Sequence, residues 1–171
     1  MFELKPISKD AIPAALAKAE RYRLLNEPRE AESICRDVLR VAPQHQDALV
    51  TLLLALTDQF GRDSEVDIME AREVLESLEG EYERAYYAGV LYERWGKAQL
   101  ARGFAAYTAF DWFREAMGWF EQAERLSPAG NDDAILRWNA CARTIMRHER
   151  TEAEPRQAGP DFDAGDEVPL R

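Results

Sequence analysis

The chain alternates helix-forming stretches with helix-breaking residues, and this alternation limits its fold more than any other sequence feature. Long stretches are rich in Ala, Leu, Glu and Arg, which favour the α-helix. Strand signals are scarce, because β-branched residues are scattered and alternating apolar and polar runs are absent. The sequence therefore predicts an all-α protein.

Breakers and caps divide the chain up to residue 150 into about seven helices that are paired in sequence. Ser8 or Asp10 is predicted to cap the first helix, and Asn26 followed by Pro28 separates it from the second. The predicted spans run from Ser8 or Asp10 to Asn26, then over 28–41, 47–60, 64–79, two longer helices within 82–126 joined near 103–108, and 131–147.

Three segments repeat a pattern of small and large apolar residues at helical spacing. In the first and third segments a small residue precedes a larger one by three or four positions in both helices, whereas in the middle segment only the second helix does so and Leu53 stands in the place of the small residue of the first. The third segment has Ala88-Gly89-x-x-Tyr92, Gly96, Ala116-x-x-x-Phe120-x-x-Ala123 and Pro128; the first has Ala19-x-x-Tyr22, Asn26 and Ala31-x-x-x-Cys35-x-x-Val38; the middle one has Leu49-x-x-Leu52-Leu53-x-x-Leu56 and Ala71-x-x-x-Leu75-x-x-Leu78.

This pattern resembles the tetratricopeptide repeat over about residues 11–148. The resemblance implies a right-handed superhelical stack of antiparallel helical hairpins, an α-solenoid with about three hairpins and a capping last helix. It also implies that the small residues lie between helices and that Gly96 lies at a turn. Residues 1–150 are predicted to form this domain, and residues 151–171 an acidic flexible tail containing Pro and Gly.

The repeats are longer than the family pattern, which points to insertions on the turn side of two hairpins. The second-helix alanines Ala31, Ala71 and Ala116 are separated by 40 and 45 residues, against about 34 in the family. The longer insertion precedes Ala116 and contains a cluster of aromatic residues, here called the aromatic extension: Phe104, Tyr107, Phe110, Trp112 and Phe113. Either the extension exposes an apolar patch to a partner or a second copy, or it folds back on the last helix and Trp138.

The resemblance also implies a concave groove lined by the first helix of each hairpin. A groove of this kind takes an extended segment or an amphipathic helix; the alternative is a groove without a dedicated ligand. The predicted groove residues are Leu16, Glu20, Arg23, Val50, Leu54, Thr57, Tyr86, Tyr87, Val90 and Glu93.

Charge restricts the class of partner. The formal net charge is −10, and residues 62–93 hold ten acidic against three basic side chains. Phosphate binding needs clustered Lys and Arg, so nucleic acid and anionic membranes are not expected partners. A neutral or basic protein segment with apolar anchors is expected instead. Cys35 and Cys141 are isolated from each other in sequence, and no leader-like apolar run occurs, which favours the cytoplasm.

No pattern of residues predicts catalysis. His45 and His148 stand outside any nucleophile, phosphate-loop or metal-ligand motif, so no catalytic residue, cofactor or metal ligand is expected. The leading hypothesis is a non-catalytic adaptor or assembly chaperone that binds a partner segment through the groove, the aromatic extension, or both. The alternative is a structural subunit that self-associates through the aromatic extension.

Overall fold

A computed structural model describes residues 2–61, 67–104 and 106–153, with the side chains of residues 152 and 153 excepted. Within these residues the protein is all-helical, as the sequence predicts, with seven α-helices and one short 3-10 helix. The α-helices are α1 (Ile12–Leu24), α2 (Pro28–Val41), α3 (Gln46–Thr57), α4 (Ile68–Glu76), α5 (Glu81–Ala101), α6 (Ala106–Leu126) and α7 (Asp133–Ala153), and the 3-10 helix covers Lys9–Ala11.

Residues with positive φ lie in the connections that follow α1, α3 and α5. Asn26 has φ 64° between α1 and α2, so it takes the place that glycine usually occupies at such a turn. Gly61 follows α3 with φ 78°, and Gly103 follows α5 with φ 79°. The reversals therefore fall where the sequence predicts them, with one exception. Gly96, expected at a turn, lies inside α5.

Several predicted helix ends differ from the structure. No side-chain cap from Ser8 or Asp10 forms, because a 3-10 turn precedes α1, which begins at Ile12. Helix α3 ends three residues before Phe60, and α4 ends at Glu76. Ser64, predicted to start a capping box, lies outside the described residues. Helix α7 runs to Ala153, six residues beyond the predicted end at Arg147.

Each helix packs on the next one in sequence, and the odd-numbered helices also contact one another in order. Buried residues from α1 to α4 form one core that includes Leu91 of α5, and α5 to α7 form a second core. Tyr87 and Tyr92 pack against both. Helix α5 therefore joins the two halves of the protein.

Small residues let neighbouring helices approach closely. Gly89 of α5 faces the buried ring of Phe120 on α6, and a Cβ at position 89 would lie 2.5 Å from Cε1 of that ring. Gly96 lies against α6 in the same way, with Trp112 and Phe113 as its neighbours. The other small residues of the repeat pattern are all fully buried: Ala19, Ala31, Ala71 and Ala116.

Candidate functional site

The structure divides the predicted groove residues into a buried and an accessible set. Leu16, Thr57, Val90 and Glu93 are buried, so a partner does not reach their side chains in this conformation. This corrects the prediction for those four positions, because neighbouring odd-numbered helices lie against them. The accessible set contains one exposed residue, Glu20, and five partly exposed ones, namely Arg23, Val50, Leu54, Tyr86 and Tyr87.

Ion pairs link α1, α3 and α5. Arg23 Nε donates to Asp58 Oδ2 at 2.8 Å, and Arg94 Nη1 lies 2.7 Å from the other carboxylate oxygen of Asp58. The same nitrogen donates to Thr57 Oγ1 at 2.6 Å and to the carbonyl oxygen of Leu54 at 3.1 Å. Burial lowers the pKa of Arg94, with Asp58 acting in the opposite direction. These bonds tie the ends of α1 and α3 to the middle of α5.

A second charged cluster joins α5 to α7. The Glu93 side chain is only 1% exposed and receives a hydrogen bond from Arg137 Nη1 at 3.0 Å and another from Lys97 Nζ. A buried carboxylate needs such partners because water no longer solvates it. Glu93 thus ties helices together rather than presenting a charge to a ligand.

Sequence reasoning missed the ion pairs of Asp58 with Arg23 and Arg94, although the sequence holds a signal for them. Arg23 and Asp58 are 35 residues apart, and Asp58 and Arg94 are 36 apart, close to the length of one repeat. Opposite charges one repeat apart meet when equivalent helices lie side by side. A search for such pairs would have found Asp58 and Arg94.

Three tyrosines form a cluster at the start of α5. The rings of Tyr82 and Tyr86 stack with centroids 5.8 Å apart, and Tyr86 meets Tyr87 edge to face at 5.2 Å. Asn131 Nδ2 donates to the Tyr82 hydroxyl at 2.9 Å. Burial raises the pKa of Tyr82 and Tyr87, so both phenols are neutral at physiological pH.

The accessible set therefore contains four apolar or aromatic residues, here called the tyrosine surface, of which Tyr86 is held by ring contacts: Val50, Leu54, Tyr86 and Tyr87. Leu54 and Tyr87 both pack against the second core, and Val50 lies one helical turn before Leu54 on α3. The hydroxyl of Tyr87 has no hydrogen-bond partner among residues 2–61, 67–104 and 106–153. This surface offers flat aromatic area and one donor for a ligand.

The aromatic extension is split between core and surface. Phe110 and Phe113 are buried, where Phe110 also meets the ring of His148 on α7 at 5.9 Å. These two residues do not form the free patch that the first alternative requires, because α7 lies against Phe110 and Phe113 packs at Gly96 of α5. Trp112 stacks on Tyr92 at 5.8 Å. Phe104 and Tyr107 remain exposed.

A cavity of about 710 Å³ lies on another side of α5, between α4 and α6. Ala85 and Ala88 lie against it, and Tyr92 and Trp119 line it together with Arg72. Arg72 Nη2 donates to the Tyr92 hydroxyl at 2.7 Å, and its guanidinium lies over the same ring. The sequence did not predict this cavity, because it depends on the short α4 standing opposite the long α6.

Comparison with protein families, curated proteins and solved structures found no match for this chain. None of the helices in the described part of the chain is long and apolar enough to cross a membrane. In the same residues no group of three or more His, Cys, Asp or Glu side chains is placed to hold a metal ion. The proposals below therefore depend on the geometry of this chain alone.

Proposed function

We propose that this protein is a non-catalytic protein-interaction module, an adaptor or assembly chaperone that binds a segment of another protein on the tyrosine surface. The observation that carries the proposal is the edge-to-face pair of Tyr86 and Tyr87, which is partly exposed. Like Leu54, both rings pack against the second core, and Tyr87 packs against the first core as well. A tetratricopeptide-like solenoid is the arrangement we infer for the helices, and contacts between successive odd-numbered helices support it.

Tyrosine suits such a surface for physical reasons. Its ring buries a large apolar area at little cost in side-chain entropy, and its hydroxyl pairs with a polar group of the ligand. Because Tyr86 is held between two neighbouring rings, its side chain loses little conformational entropy on binding. The surface is thus ready for an apolar anchor.

The expected partner is a neutral or basic segment with one or more apolar anchors. Glu20 is exposed on α1, and the chain as a whole carries a net charge of −10. Opposite charge on the partner speeds encounter and orients it, while the apolar anchors supply most of the affinity. Cys35 and Cys141 are unpaired and buried, so we infer a reducing compartment such as the cytoplasm.

Site-specific photocrosslinking in the full chain tests the proposal. A benzophenone amino acid replaces Tyr87 in one variant and Tyr107, at the start of α6, in the other. We expect a partner peptide to crosslink from position 87 and not from position 107. Crosslinking of the same peptides from both positions would contradict a site at the tyrosine surface.

A substitution then tests whether the crosslinked peptide binds there. Leu54→Gln should weaken its binding by about tenfold or more, the loss of roughly 1.4 kcal/mol that removal of a central apolar anchor brings. Leu126→Gln, on the exposed end of α6, is the matched control and should leave binding unchanged. Circular dichroism checks that both variants fold. Equal affinity for both folded variants would count against the proposal.

Self-association is the second candidate function, favoured by the exposure of Phe104 and Tyr107. Two exposed aromatic residues at one end of a hairpin lower their free energy by packing against a second copy. Sedimentation at increasing concentration should then show a dimer that the variant Phe104→Ser/Tyr107→Ser does not form. A monomer at every concentration would exclude this candidate.

A further inference from the structure

The cavity between α4 and α6 lies over a face of α5 that the tyrosine surface does not use. Ala85, Ala88 and Tyr92 follow one another at intervals of three and four residues, so they share this face. Tyr86 and Tyr87 fall between them in sequence and therefore point elsewhere. The cavity volume of about 710 Å³ lies within the range of about 300–1,000 Å³ that is usual for small-molecule sites.

Small residues form the floor of the cavity, and larger ones line it from the flanking helices. Ala85 is 1% exposed and Ala88 is 2% exposed, and their short side chains leave room above α5. Leu75 lines the cavity from α4, and Trp119 lines it from α6. Trp119 Nε1 donates to Glu115 Oε1 at 2.9 Å, which fixes the orientation of the indole ring. These walls offer apolar and aromatic contact area to the body of a ligand.

Arg72 supplies a positive charge that is held in place in the wall. Its Nη2 donates to the Tyr92 hydroxyl at 2.7 Å, and its guanidinium carbon lies 5.3 Å from the centroid of the same ring. Its Nη1 has the Met69 sulfur, a weak acceptor, at 3.8 Å. In the described part of the chain its Nε is buried without a hydrogen-bond partner. The groups that hold this guanidinium are neutral, whereas an arginine fork binds a carboxylate best.

The other charged side chains of the cavity are either exposed or bonded to backbone. Glu76, Glu81 and Arg125 line the cavity but are exposed, so water screens their charges. Arg84 Nη1 donates to two carbonyl oxygens of the connection before α5, both at 2.8 Å. The half-buried Arg72 therefore sets the sign of the charge inside the cavity, which favours an anion over a cation.

We propose that this cavity binds a small organic acid. The apolar or aromatic body of the acid lies over Ala85 and Ala88 and beside Trp119, and its carboxylate pairs with the Arg72 guanidinium. The body then leaves water, and the carboxylate supplies the charged acceptor that suits the arginine fork. The site is separate from partner binding on the tyrosine surface, so either function can hold without the other.

Three probes that share one aromatic ring test the sign of the charge. Naphthylacetate is the acid, naphthylacetamide is its neutral analogue and naphthylethylamine is the cation. The indole N–H signal of Trp119 in the NMR spectrum of the full-length chain reports binding. We expect the acid to shift this signal and to bind about tenfold or more tightly than the amide, because hydrogen bonds between charged groups are the stronger ones. Equal or tighter binding of the amide or the amine, or no saturable shift at millimolar acid, would overturn the proposal.

A substitution of Arg72 tests which residue holds the carboxylate. Arg72→Gln should bring the acid and the amide to nearly equal affinity, because it removes the charge and keeps a polar side chain. Arg114→Gln is the matched control, since Arg114 is exposed on α6 and does not line this cavity. It should leave the tenfold preference for the acid in place. A preference that survives in folded Arg72→Gln would contradict the assignment.

Filling the cavity tests the position of the site without altering any charge. Ala88→Leu should lower the affinity for naphthylacetate about tenfold or more and keep the parent melting temperature, because the cavity has room for the larger side chain. Ala14→Leu, on an exposed position of α1, is the control and should leave the affinity unchanged. Unchanged affinity in folded Ala88→Leu would place the acid elsewhere and overturn the proposal. If a variant does not fold, the three probes on the unaltered chain still decide the outcome.

A blocked tripeptide with Glu beside Phe separates a free acid from the acidic side chain of a protein. Its ends are acetylated and amidated, so its only carboxylate is the Glu side chain. We expect it to bind more weakly than naphthylacetate, because its backbone adds polar groups that the apolar walls do not satisfy. Tighter binding of the tripeptide would mean that the cavity takes a protein segment, and the proposal of a small organic acid would be wrong.

Discussion

At the scale of single residues, Gly89 illustrates how close α5 and α6 lie. Phe120 is fully buried, so its ring has no free space into which it can move. A methyl group at position 89 would stand 2.5 Å from that ring, well inside van der Waals contact. Position 89 therefore requires glycine for packing, although glycine disfavours helices.

The substitution Gly89→Ala should destabilise the protein by about 1–3 kcal/mol, because the overpacking cost exceeds the gain in helix propensity. Gly118→Ala is the matched control. Position 118 lies in the middle of α6 with nothing within 4 Å of a new Cβ, so this variant should gain roughly 0.5–1 kcal/mol. Urea denaturation measures both changes. Two substitutions with the same sign would contradict the predicted packing.

Glu93 supports a second prediction, on a buried charge. Glu93→Ala leaves Arg137 without its carboxylate partner, and breaking a buried ion pair costs about 3–5 kcal/mol. Lys97→Ala removes the other partner of Glu93, but Lys97 is 52% exposed, so its loss should cost about 0–1 kcal/mol. The free energy of unfolding in urea distinguishes the two. Similar losses of stability for both variants would show that burial does not increase the contribution of the Glu93 ion pair.

The two buried thiols predict a dependence on alkaline pH. Burial raises the pKa of Cys35 and of Cys141 from 9.0 to about 12. Between these values the unfolded chain releases protons that the folded chain keeps, so the free energy of unfolding should fall as the pH rises from 9 towards 12. Below pH 9 both states hold the protons, and the thiols add no pH dependence.

Urea denaturation at about pH 8 and about pH 10.5 measures this fall. The variant Cys35→Ala/Cys141→Ala should show a smaller fall, because only other groups then titrate. Tyr82 and Tyr87, whose pKa burial also raises, act in the same direction in both proteins. An equal fall with and without the thiols would contradict the prediction.

At the scale of the elements, α7 decides how much of the aromatic extension is free. Its last turns lie beside the start of α6, as the contact between Phe110 and His148 shows. Phe113 is buried as well, whereas Phe104 and Tyr107 are not covered. The same hairpin thus supplies both core residues and exposed aromatic residues.

Substitutions on α6 test this division. Phe110→Ala should cost about 3–5 kcal/mol of stability, because it removes a buried ring from a packed site. Tyr107→Ala lies one helical turn away but on the surface, and should change stability by no more than about 0.5 kcal/mol. Thermal or urea unfolding compares them. A large loss for Tyr107→Ala would mean that α7 covers that residue too.

At the scale of the whole molecule, α5 couples the two cores. Tyr87 and Tyr92 pack on both, and Arg94 reaches Asp58 at the end of α3. Unfolding of one half therefore removes contacts from the other. A chain of helical pairs with only weak links between them would instead unfold in steps.

Two spectroscopic probes report on this coupling. Three of the four tryptophans, Trp112, Trp119 and Trp138, lie on α6 and α7, whereas Trp95 of α5 packs against the first core. Fluorescence therefore follows mainly the second half, whereas circular dichroism follows every helix. We expect the two urea transitions to have the same midpoint. The variant Arg94→Ala should lower both midpoints together. A fluorescence midpoint separate from that of circular dichroism would show that the halves unfold independently.

Local sequence determined the helices and much of their packing. Composition and breakers predicted seven α-helices, and the spacing of small residues such as Ala19 and Ala116 predicted which ones are buried. These features are visible because a helix interface repeats every three or four residues along one chain segment. The left-handed turn at Asn26 follows from the same local logic.

Tertiary structure alone decided which predicted site residues are accessible. Glu93 was predicted to line the groove and Phe110 to belong to the aromatic extension, yet both are buried and in contact with α7. The cover comes from a helix more than thirty positions away, and the pattern around either residue carries no information about it. Burial depends on which distant segments meet, and a local pattern encodes only one side of that contact.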